Sequence, residues 1–307
     1  MRQINLGSSN LKVPVIGIGC MRMGGLDIKE AARYIDTCME LGLNFFDHAD
    51  IYGGGECEKI FAEAINMNPE VREKVIIQSK CGIRPDIGMY DFSKEYILNS
   101  VDNILKRLNT EYLDVLLLHR PDALVEPEEV AETFDILERS GKVNNFGVSN
   151  HKPAQIELLK KYVKQDIIVD QLQTSITNAT MISNGINVNT GDDAALDRDD
   201  SVLDYCRLND ITIQNWSPFQ YGCFEGPFLG NDKFKTLNEK VNELADKYGI
   251  TDSAMAVAWL LRHPAHMQPI VGTMNIKRIK DISKAADVEL SREDWYGIFK
   301  AAGNRLP

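Results

Sequence analysis

The chain has 307 residues, with 34 Lys and Arg against 45 Asp and Glu, a formal net charge of −11, and 44% hydrophobic and 26% charged residues. This composition belongs to a folded protein of enzyme size and excludes a disordered chain; the negative balance, without a long basic block, argues against nucleic acid or an anionic membrane surface as partner. The six cysteines (Cys20, Cys38, Cys57, Cys81, Cys206, Cys223) are scattered without a C-x-x-C pair and read as reduced thiols rather than disulfides or a zinc cage.

In chain order, the start MRQINLGSSNLKVP is polar, with no apolar targeting core, and no later stretch approaches 18 apolar residues. A cytoplasmic protein is expected. Residues 3 to 14, with LGSSN between short apolar pieces, predict a hairpin. Eight short apolar runs follow: VIGIG (15 to 19), NFFDHA (44 to 49), VIIQSK (75 to 80), YLDVLLLH (112 to 119), NNFGVS (144 to 149), IIVDQL (167 to 172), ITIQNWS (211 to 217) and PIVGT (269 to 273). Helical periodicity lies between them, as in IKEAARYIDTCMELG, SKEYILNSVDNILKRLN and PEEVAETFDILERSG. Ser93 and Pro127 mark helix starts, and Gly42, Gly141 and Gly249 mark stops. Eight strand–helix units predict a (β/α)8 barrel over residues 1 to 307 as one domain, the hairpin plugging its bottom and SREDWYGIFKAAGNRLP adding a C-terminal helix. A doubly wound sheet is the rival, but GIGCMRMGG after the first strand lacks the G-x-G-x-x-G spacing. The polar segment 178 to 200 is expected to be a long loop.

In such barrels chemistry sits where strands end. Asp47 ends the second run, Tyr52 follows in DHADIYGGGE, Lys80 ends the third and His119 the fourth. Singly, each has a bland explanation as a cap, a half-buried aromatic, a surface cation or a core imidazole. Jointly they compose a mechanism. A tyrosine of ordinary pKa is a reluctant acid at neutral pH, but an ammonium about 4 Å away contributes roughly 4 kcal/mol at an effective dielectric near 20, about 3 pKa units. Lys80 would tune Tyr52, Asp47 would keep Lys80 protonated while partly cancelling its field, and His119 would donate to the same substrate oxygen. That set suits carbonyl reduction.

The strings NFFDHADIYGGGE, QSK, LLLHRPD, GVSN, VDQLQ and WSPF, with GTMNIKRI and REDWY near the C-terminus, resemble the aldo-keto reductase superfamily, in its bacterial oxidoreductase branch, over essentially the whole chain. The resemblance implies a barrel that binds a nicotinamide dinucleotide, usually NADPH, without metal. It makes Asp47, Tyr52, Lys80 and His119 a catalytic tetrad with Tyr52 as the general acid, and a small carbonyl compound the substrate. By the same resemblance Ser149, Asn150 and Gln171 hold the nicotinamide carboxamide, Trp216 stacks on its ring, Ser217 lies near the pyrophosphate, and Gly272, Thr273 and Arg278 hold the adenosine 2′-phosphate. Amide donors and acceptors, a flat ring and a planar guanidinium suit those groups. Ser149 and Asn150 also read as caps of the helix begun by KPAQIELLKKY. Asn275 stands where some relatives carry lysine, and Asp281 with Ile282 where others carry a carboxylate and an amide.

Arg22 is a possible contact at the mouth, and Phe219, Tyr221 and Phe224 are candidate pocket walls. His48 departs from the small hydroxyl residue common at its place. Two other functions fit a barrel of this kind. One is a metal-dependent hydrolase using His48, Asp50, His119 and His151; the other is an NADPH-sensing regulatory subunit.

Overall fold

The eight apolar runs form strands because each is buried on both faces, one toward a central axis and one toward a surrounding layer of helices. The structure, a computed structural model, describes residues 1 to 307. The strands are β1 (Gly17–Gly19), β2 (Phe45–Asp47), β3 (Ile76–Cys81), β4 (Val115–Leu118), β5 (Phe146–Ser149), β6 (Ile167–Gln173), β7 (Thr212–Trp216) and β8 (Gln268–Val271). All pair in parallel with their sequence neighbours, and β8 pairs with β1, so the sheet closes as a (β/α)8 barrel. The doubly wound alternative is thereby excluded.

Period-two alternation sorts the side chains. Phe45, Val115, Leu117, Val169 and Ile270 form a small inner cluster, while Phe46, Leu116, Leu118 and Val148 belong to the large core between strands and helices. The predicted hairpin pairs Gln3–Asn5 antiparallel with Lys12–Pro14, and its Leu6 and Val13 complete the inner cluster, closing that end of the barrel. The closure is tight: a Cβ on Gly7 would lie 2.2 Å from the carbonyl oxygen of Ile168.

Helices occupy the expected intervals, including Ile28–Glu40, Lys94–Leu108, Pro127–Arg139, Lys235–Tyr248 and Asp252–Leu261. Ser93 caps the second of these through Tyr96 N–H, and Gly42, Gly141 and Gly249 adopt positive φ after their helices. The last helix, Arg292–Ala301, buries Trp295, Ile298 and Phe299 as its pattern predicts. Segment 178 to 200 departs from expectation. It contains a helix at Thr180–Ile186 and a 3-10 turn at Asp193–Ala195, because Met181 and Ile182 pack into the core and organise an otherwise polar stretch. No helix is long and apolar enough to cross a membrane, and all six cysteines are free.

Candidate active site

Above the inner apolar cluster the barrel carries a polar layer. Gln171 pairs in register with Ser149 and Gln214, and Gln214 with Gln268. Gln214 donates to Gln78 at 3.1 Å and to Gln268 at 2.8 Å, and Gln268 donates to the Pro14 carbonyl at 2.7 Å. Gln78 and Gln171 donate to both Gln214 and Asp47. The layer therefore supplies buried hydrogen bonds to Asp47, which a carboxylate inside a barrel requires.

Asp47 and Lys80 end adjacent strands and meet directly. The fully buried Lys80 Nζ lies 2.7 and 2.8 Å from the two Asp47 oxygens, donates to the His48 carbonyl at 2.9 Å and to Tyr52 Oη at 3.2 Å. Burial works against the ammonium, but Asp47 and Tyr52 outweigh it and hold Lys80 above the ordinary lysine pKa. The ring of His119 stands 6.2 Å from that of Tyr52, edge to face. Burial, with help from Lys80 and Arg120, holds His119 far below the usual histidine pKa, so it is a neutral imidazole.

Tyr52 corrects one expectation. Its phenol pKa lies above, not below, the ordinary tyrosine value: burial raises it most, Lys80 pulls it down, and Asp47 pushes it up again. The cation is as close as anticipated, yet desolvation of the phenolate wins.

The turn bearing Tyr52 runs through Gly53, Gly54 and Gly55, all at positive φ. Gly55 (φ 93°) lies against Arg107, where a Cβ would come within 2.7 Å of the side chain. Arg107 Nε in turn donates at 2.6 Å to the buried Glu58, which also accepts from Ser79 Oγ at 3.0 Å. Asp50, its Oδ1 buried and unpartnered, is pushed up to about 7 by burial and by Glu58. This brace behind the turn had no signal in the sequence, since Glu58 and Arg107 are distant and neither ends a strand.

Over this floor opens a cleft of about 680 Å³. Eleven of the twelve predicted site residues line it, namely Asp47, Tyr52, His119, Ser149, Asn150, Gln171, Trp216, Ser217, Gly272, Thr273 and Arg278; Lys80 lies just beneath. Trp216 Nε1 donates to Asn150 Oδ1 at 3.0 Å, and Asn150 Nδ2 donates to Ser149 Oγ at 2.8 Å, so GVSN orients the indole. Neither residue caps the following helix, which starts at Pro153. Gln171 uses its amide hydrogens on Asp47 and Gln214, which leaves its side-chain oxygen for a ligand. Asn275 caps the helix Ile276–Ser283 through Arg278 N–H, and Asp281 pairs with Lys277 on the same helix. Arg22 Nη1 reaches across the mouth to the Gly272 carbonyl at 3.1 Å.

A sequence profile of the Aldo/keto reductase family matches residues 15–302. The chain belongs to this family. It is 36% identical over 282 residues to the oxidoreductase YcsN of Bacillus subtilis (strain 168), covering 89% of this chain and 88% of that one. It is also 32% identical over 311 residues to a 6-dehydroglucose reductase of Novosphingobium aromaticivorans, covering 98% and 96%. The thermostable aldo-keto reductase Tm1743, solved with the inhibitor epalrestat, superposes with a TM-score of 0.79 at 25% identity, covering 98% of this chain and all of that one.

The remaining candidates of this aldo/keto reductase divide. Phe219 and Phe224 line the cleft, whereas Tyr221 packs on Phe234 with ring centroids 5.0 Å apart. His48 is fully buried with its ring 4.7 Å from Phe61, its nitrogens unpartnered and its pKa lowered to about 3 by burial and then by Lys80; only its backbone carbonyl meets Lys80. His151 stacks on Phe92, and its Nδ1 faces the Ser149 carbonyl. The metal-hydrolase set therefore does not converge, and no three His, Cys, Asp or Glu side chains form a metal-binding group. The glutamine layer was visible as Gln78 and Gln214 interrupting apolar runs, but its pairing was not. Arg120, which follows His119 in the cleft wall, was overlooked as a site residue.

Proposed function

We propose that this aldo/keto reductase is an NADPH-dependent carbonyl reductase acting on an aldehyde or ketone, with Tyr52 as general acid. The observation carrying the reading is the buried chain Asp47, Lys80, Tyr52 at the floor of the cleft, with Lys80 Nζ 3.2 Å from Tyr52 Oη. A bound reduced nicotinamide supplies the hydride.

The chain's own residues fit that group. Trp216 offers a ring face held in place by Asn150, Gln171 offers an acceptor to an amide, and Arg278 has a guanidinium without a carboxylate partner, suited to a phosphate. Tyr52, protonated at neutral pH, transfers its hydroxyl proton to the oxygen of the reduced carbonyl. Lys80 opposes the charge left on the phenolate, Asp47 keeps Lys80 charged, and neutral His119 donates a hydrogen bond to the substrate oxygen and fixes it for the transfer. The free cysteines accord with a reducing, cytoplasmic compartment.

Steady-state NADPH oxidation over a panel of aldehydes and ketones tests the reading. Tyr52→Phe should lower kcat by about 100-fold or more while the NADPH dissociation constant stays within about twofold. Retention of more than about a tenth of the wild-type kcat refutes the general-acid role. Tight NADPH binding without turnover on any carbonyl favours the regulatory subunit instead.

A further inference from the structure

The cleft holds more positive charge than the proposed reaction uses. Its charged lining residues are Arg22, Asp47, Arg120 and Arg278, and Asp47 is already paired with Lys80. None of the three arginines makes a salt bridge, although the chain carries 45 acidic residues. On an acidic protein, three unpaired guanidiniums around one cavity mark a surface kept free for anions.

Two of them sit at one end, Arg22 on the Gly272 carbonyl and Arg278 in the first turn after β8. Arg120 sits elsewhere. It follows His119 at the end of β4, and its guanidinium lies over the Trp216 ring, 5.7 Å from its centroid. It is half-buried, and no protein acceptor receives a hydrogen bond from its five N–H donors. A planar donor fork in a partly desolvated cleft is matched best by a carboxylate, through two parallel hydrogen bonds. Phe219 and Phe224 line the same cleft and offer apolar surface suited to a substrate's carbon skeleton.

We propose that Arg120 is the substrate-anion site of this cleft and that the preferred substrates are aldehydes or ketones bearing a carboxylate. This rests on the carbonyl-reductase reading and names its substrate class. The charge of Arg120 also reaches His119, helping to keep the imidazole neutral.

The test compares 2-, 3- and 4-formylbenzoate with their methyl esters, using NADPH and the wild-type, Arg120→Ala and Arg120→Lys proteins. The wild type should prefer at least one acid over its ester. Arg120→Ala should lower the acid-to-ester ratio of kcat/KM about 10- to 100-fold, the range of a charge-assisted hydrogen bond, and Arg120→Lys should recover part of it. An ester preference for all three isomers in the wild type overturns the proposal. So does a ratio unchanged in Arg120→Ala, or a rise in the NADPH dissociation constant that accounts for the whole loss. If no aldehyde is reduced although NADPH binds, the reductase reading fails by itself. The dissociation constants of benzoate and methyl benzoate for the NADPH-loaded protein, read by tryptophan fluorescence, then decide the anion site. A benzoate affinity that Arg120→Ala lowers tenfold supports it, and one that Arg120→Ala leaves unchanged overturns it.

Discussion

Lys80→Met tests the electrostatic core of the mechanism. The ammonium lies 3.2 Å from Tyr52 Oη, and a unit charge there stabilises a phenolate by about 5 kcal/mol at an effective dielectric near 20. Asp47, bound to the same ammonium at 2.7 Å, cancels part of that field. About 3 kcal/mol should survive, a roughly 100-fold fall in kcat when the ammonium is removed. The same change strands Asp47 in the barrel with only Gln78 and Gln171 as donors, and loss of one partner of a buried pair costs about 3–5 kcal/mol of stability. The double variant Asp47→Asn with Lys80→Met separates the two effects, because it leaves no buried charge and keeps an oxygen for the glutamines. Its urea midpoint should return toward wild type, while NADPH oxidation at saturating aldehyde stays as slow as in Lys80→Met. Recovery of kcat to within tenfold of wild type in the double variant refutes the idea that the Lys80 charge drives proton transfer, as does a Lys80→Met protein that keeps more than a tenth of wild-type activity.

Arg278→Ala should weaken NADPH by about 1.5–3 kcal/mol, the worth of a charge-assisted bond, and NADH much less; equal losses in fluorescence titrations remove the phosphate assignment. Reduction should show no Tyr52 ionisation between pH 6 and 9, because the phenol pKa is raised and the proton is present throughout, whereas alcohol oxidation, which needs the phenolate, should climb over that range. A loss of reduction near neutrality in the pH profile would contradict the raised pKa. Stability should lose ground through Asp50 and Asp170 between about pH 5 and 8. Burial holds Asp170 up to about 8, and Asp50 stands at about 7 through burial and Glu58. Below those values each is protonated in the folded chain while its unfolded counterpart is ionised, so folding becomes less favourable as pH climbs from the ordinary carboxyl pKa toward the raised one, on the order of 1 kcal/mol per pH unit for each group, and the loss levels off above it. Urea midpoints across this window check the slope, and Asp170→Asn should flatten it.

The fold was legible because parallel barrel strands, buried on both faces, appear as short continuous apolar runs, and the helices between them carry caps and a 3.6-residue period. Segment 178 to 200 was not, since its helix holds Asn184 and Gly185 and owes its form to Met181 and Ile182 finding the core. A small ribbon, Ile83–Arg84 with Met89–Tyr90, escaped for another reason: runs this short carry no period. At the site, strand-end position picked out residues that the structure brings together, because alternation sends Asp47 and Lys80 inward just as it does Phe45 and Gln78. What stayed hidden was everything built across distance. The Glu58 to Arg107 brace, the Asn150 to Trp216 bond and the four-glutamine layer each join elements whose proximity exists only once the barrel closes.

The phenol of Tyr52 shows why a correct set of neighbours still gave the wrong sign. The charge of Lys80 can be read from residue type and strand position, but desolvation depends on what covers the group, and coverage is a property of the closed barrel. The raised pKa does not weaken the role of Lys80; it moves that role along the reaction. A phenol already acidic at rest would be partly ionised at neutral pH and would have no proton to give. In the proposed mechanism Tyr52 instead rests protonated, and Lys80 acts as charge develops on the oxygen, which is when stabilisation lowers a barrier rather than a ground state. Asp47 serves the same end by keeping the ammonium charged in a place where burial works against the charge.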